Sequence, residues 1–167
     1  MTEKPTTLNE RFGPIPNDDG LLKRMRLHQG WWRTNVLNEL PGAHPIDHLR
    51  KICNTITNGE STHKNFLTPN IIQTVQETLS KRIEQNAGII EEVRLFNNLL
   101  SSQPLCFNFF GELFADLDFG LIVLHTFYPE LTKLNNVIFE FAPTENFTKD
   151  KSAFDIAFEV EIGEKKV

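Results

Sequence analysis

The sequence is poor in the residues on which the most recognisable chemistries depend. It has only two cysteines, Cys53 and Cys106. They lie far apart, each among apolar neighbours and without Cys-x-x-Cys spacing, so a reduced chain with no disulfide framework is expected. His44, His48, Cys53 and His63 lack the tight spacing of a zinc framework and read as surface and core residues. No Gly-rich phosphate loop and no Gly-x-Ser-x-Gly elbow occurs, which excludes the usual nucleotide-cradling and serine-hydrolase signatures. The longest apolar stretch, Phe119 to Tyr128, is interrupted by Gly120 and His125 and is about half the ~20 residues a membrane helix needs. The opening segment, MTEKPTTLNERFGPIPNDDG, has no apolar core of the kind a translocation signal carries, so the expected location is the cytoplasm.

Positive charge is also short. Seventeen basic residues against 22 acidic ones give a net charge of -5, which argues against a protein coated with nucleic acid over its whole surface and leaves room for a local basic groove. One tyrosine stands against 14 phenylalanines, and phenylalanine has no polar tip to favour a wet interface over a core. With hydrophobic residues at 40% and charged residues at 23% in a chain of 167 residues, the composition is that of one globular domain able to bury a core. The expected organisation is a flexible N-terminus over residues 1–20 and a single domain over 21–167, helical to about residue 129 and sheet-forming from 135 onwards.

Periodicity supplies the elements. Asp18 and Asp19 offer N-cap oxygens to a helix expected to run to Leu40, where Pro41-Gly42 ends it. Met25, Trp32, Val36 and Leu40 recur on one side of it, and Lys23, Arg24, Arg26 and Arg33 crowd the rest. This basic and aromatic cluster, with His28 and Trp31, has the composition of a nucleic-acid contact. It also has that of an ordinary helix with core tryptophans and a solvated charged face. Leu49, Ile52, Cys53 and Ile56 suggest a second, shorter helix closed by Asn58-Gly59. Thr68-Pro69 starts a long helical region, with a break expected at Asn86-Ala87-Gly88 and an end at Pro104. Leu113, Leu117, Leu121 and Leu124 describe another helix, in which His125 reads as a hydrogen-bonded core histidine. After Asn135 the period changes to two. Val137, Phe139 and Phe141 alternate with Ile138 and Glu140, and Phe154 to Ile162 alternate again, with Asp155, Ala157, Glu159 and Glu161 on the second face. The last residues, from Gly163, read as a polar turn.

The run Arg94-Leu95-Phe96-Asn97-Asn98-Leu99-Leu100-Ser101-Ser102-Gln103-Pro104-Leu105-Cys106-Phe107-Asn108, followed by Ser152-Ala153-Phe154-Asp155, resembles a bacterial branch of the PD-(D/E)XK superfamily, the restriction-endonuclease-like nucleases. The likeness extends from about Leu22 to the last residue. It implies a helix packed on a mixed sheet, with an Asp on the second strand and Glu-x-Lys on the third, together binding Mg²⁺ at a scissile phosphate. Asp155 matches the first position. A hard divalent cation prefers carboxylate and phosphate oxygens, lowers the pKa of a bound water and neutralises charge building on phosphorus. A neighbouring lysine can orient that water.

The sequence departs from the pattern after Asp155. Glu164-Lys165-Lys166 has the letters Glu-x-Lys, but strand alternation persists through Ile162, which puts Glu164 roughly 30 Å of extended chain from Asp155. On this reading the chain is the N-terminal part of a longer, truncated nuclease and is inert as it stands. Asp disfavours strands, and here Ala153 and Ala157 flank Asp155 on its own face and leave room for a ligand. Glu140 is either an exposed residue of an amphipathic strand or a second carboxylate at the metal. The expected protein is therefore α+β, mainly helical, with a C-terminal two-stranded antiparallel hairpin belonging to a restriction-endonuclease-like core. Asp155 is its candidate catalytic residue and, with Glu140, its candidate Mg²⁺ ligand; the expected partner is nucleic acid, DNA first, and no membrane. The alternative is a non-catalytic binding or regulatory module on a degenerate nuclease scaffold.

Overall fold

The computed structural model describes residues 7–44, 46–85, 90–143, 153–163 and 165–166. Its backbone groups into two compact units, residues 1–65 with 91–104, and residues 66–90 with 105–167. The break expected at Asn86-Ala87-Gly88, and Glu164, lie outside the described residues.

The first unit is built from short helices joined by irregular chain. Within the first twenty residues α1 (Leu8–Phe12) forms on a reciprocal cap, in which Thr7 Oγ1 accepts from the Glu10 amide and Glu10 accepts from the Thr7 amide. Its Phe12 is buried. Helix α2 (Gly20–Asn35) starts after Asp19 and ends five residues short of the expected Leu40. The early end has a cause in packing: Glu39 folds back so that its amide donates to the Arg33 carbonyl and its own carbonyl accepts from the Arg33 guanidinium. No helix forms over Leu49 to Ile56. That stretch instead makes bridges from Ala43 to Lys51 and from Thr55 to Asn98, and Ile52, Cys53, Asn54, Thr55 and Ile56 are all buried. A helix buries one stripe of side chains, whereas five consecutive buried residues need chain that is covered on all sides. Asn58, in the left-handed region at φ 54°, opens the short α3 (Gly59–Thr62) rather than closing a helix.

Polar side chains fill the place that a larger apolar core would take. Arg33 is 2% exposed; its guanidinium donates to the carbonyls of Cys53 at 3.0 Å and Phe12 at 2.8 Å, to that of Glu39, and to Thr34 Oγ1. Asn54 accepts from Arg26 and donates to Asn98 Oδ1, both at 2.8 Å, and Asn65 donates to the Leu95 carbonyl. Asn97, the last residue of α5 (Glu92–Asn97), accepts from the Gly59 amide. A side chain at Gly59 would place its first carbon 2.0 Å from the Phe96 carbonyl oxygen, so only glycine fits. Helix α5 stops there, and Pro104 falls in the first turn of the next helix, α6 (Ser102–Ala115). Proline opens this helix instead of ending the previous one, because first-turn amides have no intrahelical partner to lose.

The second unit holds α4 (Pro69–Gln85), α6 from Leu105 on, α7 (Leu117–His125) and the sheet. The Thr68 cap forms as expected, with its hydroxyl accepting from the Ile71 amide. The leucine-rich run is two helices, separated where Asp116 caps α7 by accepting from the Phe119 amide. His125 is exposed rather than buried, and its ring bonds to the Leu131 carbonyl. Strand β1 (Leu131–Phe141) pairs antiparallel with β2 (Phe154–Ile162). β1 begins before the expected start, because irregularities between Leu131 and Lys133 and between Leu134 and Asn136 absorb extra residues that read as loop in the sequence. Gly163, at φ 61°, turns the chain into the two-residue β3 (Lys165–Lys166), giving the sheet order β1-β2-β3. The hairpin thus gains a short third strand where a turn was expected. Val137 and Phe139 of β1 are buried, and Phe139 stacks on Phe107 of α6 at 4.1 Å between centroids. Phe110 of α6 meets Phe158 of β2 edge to face. The protein is α+β.

Candidate active site

Strand pairing sets the position of the two candidate carboxylates. Phe139 pairs with Ile156 and Phe141 with Phe154, so Glu140 and Asp155 occupy the intervening step on neighbouring strands. Glu140 departs from ordinary strand backbone, with φ 50°, a region costly for a side-chain-bearing residue and kept only where the surroundings impose it.

The Arg82 guanidinium, at the end of α4, donates to the carbonyls of both Phe139 and Glu140. Burial lowers the Arg82 pKa and the Glu140 carboxylate opposes that shift. Thr78, Lys81, Arg82, Phe114, Asn136 and Glu140 are among the residues lining a cleft of about 390 Å³ on this side of β1. Lys81 lies over the Phe114 ring, 5.0 Å from its centroid. Asp155 is exposed on β2.

Cys106 registers both carboxylates. Its buried thiol donates to the Asp155 carbonyl at 3.3 Å, and its pKa is pushed up to about 12, first by burial and then by the negative charges of Asp155 and Glu140. The thiol therefore stays protonated and is no nucleophile at ordinary pH.

Two hard carboxylate donors on adjacent strands suit a small divalent ion, which is commonly held by one or two carboxylates together with waters and substrate phosphates. Among the described residues no group of three or more His, Cys, Asp or Glu gathers at one point. Lys165 and Lys166 pair with Ile162 and Glu161, at the far end of β2 from Asp155.

With the geometry in place, the comparisons with known proteins bear on its class. The sequence pattern of the PD-(D/E)XK nuclease superfamily matches residues 16–166. The chain belongs to that superfamily. No curated protein and no solved structure matches it. Glu140, named from the sequence as a carboxylate, has a left-handed backbone that its residue type did not announce. Sequence reading also passed over Arg82. A signal for it existed: Ile71, Val75 and Thr78 are buried, and Arg82 continues their spacing along α4, so its cation falls on the inward side of the helix. No helix of the described residues is long and apolar enough to cross a membrane.

Proposed function

We propose that this PD-(D/E)XK chain supplies the carboxylate side of a metal-dependent nuclease site that hydrolyses phosphodiester bonds in nucleic acid, DNA being the expected substrate and Mg²⁺ the expected ion. The observation that carries the reading is the register that sets Glu140 across from Asp155 within a chain of nuclease family. A bound Mg²⁺ would supply charge neutralisation at the phosphate and an acidified water. Asp155 and Glu140 would hold that ion. Arg82 fixes the backbone on which Glu140 rides, and the neutral Cys106 thiol steadies the strand carbonyl at Asp155 without adding charge.

The same pairing limits what the described residues do alone. Lys165 and Lys166 pair through their backbones with the end of β2 away from Asp155. No Glu-x-Lys strand stands beside Asp155 among the described residues, and the chain is expected to bind metal with little or no turnover. Titration with Mn²⁺ followed by electron paramagnetic resonance tests the first part. Binding by the intact chain that falls about tenfold or more in Asp155→Ala, and less in Glu140→Gln, is the expected result for a ligand lost from a metal site. Equal binding by all three chains would remove the metal assignment. Incubation with plasmid and Mg²⁺ tests the second part, where rapid cleavage abolished by Asp155→Ala would refute the expected lack of turnover and uphold the site.

The second reading, a binding module on a nuclease scaffold, draws on the pairing of Lys165 and Lys166 at the end of β2 away from Asp155. Absence of metal binding together with retained nucleic-acid binding would favour it.

A further inference from the structure

We propose that the exposed face of α2 is a nucleic-acid contact surface on which Lys23 and Arg24 meet phosphates and Trp31 stacks on an unpaired base. This rests on the nuclease reading for its choice of polyanion, but not on the metal site. In a chain of net charge -5, the segment Gly20–Asn35 carries four basic residues and no acidic one. Two of the four are consumed by the fold. Arg33 is buried among carbonyls, and Arg26 pairs with Asp18 at 2.5 Å and reaches Asn54. Lys23 and Arg24 are exposed and take part in none of the ion pairs among the described residues.

Helical spacing sets Arg24, His28 and Trp31 on one side of α2. That side is turned to solvent: all three residues are exposed, with Trp31 at 45%. The His28 and Trp31 rings lie 6.4 Å apart, tilted by 31°. Trp31 keeps nearly half of its surface open to solvent, and an indole beside uncompensated cations matches a strand of phosphates with bases free to stack. A duplex hides its base faces, so the fit is to single-stranded nucleic acid. An acidic protein would find the charges but no reason for a flat ring, and the exposed Leu21 and Met25 make a lipid surface the competing occupant that the vesicle probe decides.

The test uses the full chain in EDTA, which removes any metal contribution. A fluorescein-labelled 20-nucleotide single strand is titrated by anisotropy, with a 20-base-pair duplex and anionic vesicles as parallel probes. The expected result is salt-dependent binding of the single strand, weakened about tenfold or more by Lys23→Glu with Arg24→Glu and by about fivefold or more in Trp31→Ala, with Trp31→Phe close to the intact chain. Circular dichroism verifies that each variant keeps its helix content. Binding unchanged in both variants, no binding at low salt, or vesicle binding without strand binding would each overturn the proposal. Asp155→Ala separates the two readings, because its loss of metal binding leaves strand binding intact here, while failure of the α2 variants leaves metal binding at Asp155 standing.

Discussion

The two buried thiols show how differently the two units are made. In both, burial raises the pKa of the cysteine, but the charges around it act in opposite directions. Cys53 has Arg26 and Arg33 for neighbours, which pull its pKa back down, whereas Cys106 has Asp155 and Glu140, which push it further up. The first unit solves the problem of its irregular chain with cations and amides aimed at main-chain carbonyls. The second solves its packing with aromatic rings between helix and sheet. The lesson is that polar burial in the first unit is architecture, since Arg33, Thr55 and Asn65 reach main-chain carbonyls and Asn54 bonds Arg26 and Asn98, while the second unit carries the strained Glu140 backbone on which the proposed site rests.

Removing a ring from the second unit gives the largest expected effect. Phe139→Ala, at a position 2% exposed and stacked on Phe107, should cost about 4 kcal/mol in urea unfolding. A loss below about 1 kcal/mol would show that aromatic packing is not what holds the sheet to its helix. Arg33→Met tests the other half of the comparison. It keeps the length of the side chain but leaves the Phe12, Cys53 and Glu39 carbonyls without their donor, and the expected cost is about 3 kcal/mol. Were this variant as stable as the parent chain, the polar frame would be ornament rather than structure.

The pH dependence is the subtlest contrast. A thiol whose folded pKa is raised above its unfolded value contributes stability that is whole below the unfolded pKa and is lost as pH climbs towards the folded one. For Cys106 the window runs from the ordinary thiol value of 9.0 to about 12. Cys106→Ala should therefore flatten the decline in stability across that alkaline range, read by thermal melting at a series of pH values. Cys53→Ala should flatten it less, because its two arginines offset part of the burial. Equal flattening by both would mean that the carboxylates near Cys106 are not felt.

Much of the element order was legible because local rules decided it. Thr68 and Pro69 announced α4, and the shift to a period of two announced β1 and β2. The errors share one cause. Ile52 to Ile56 looked helical from its apolar spacing, but its backbone is satisfied by partners distant in sequence, including Asn97 and Asn98. Pro104 read as a stop because a proline is ambiguous until one knows on which side the helix lies. Of the candidate site, the carboxylates were visible as residue types, whereas Arg82 was not, since a basic residue near a helix end ordinarily faces water.

By itself the sequence determined the local choices: which segments coil, which extend, where helices are capped, and that Asp155 would sit on a strand. Those depend on neighbours within a few residues, which a linear reading contains. Tertiary structure alone decided that Glu140 stands at the step across from Asp155, that its backbone is bent by Arg82, and that Arg33 turns inward while Trp31 turns out. Register and burial are set by contacts between residues far apart along the chain, and one residue of slip would have put either carboxylate on the other face.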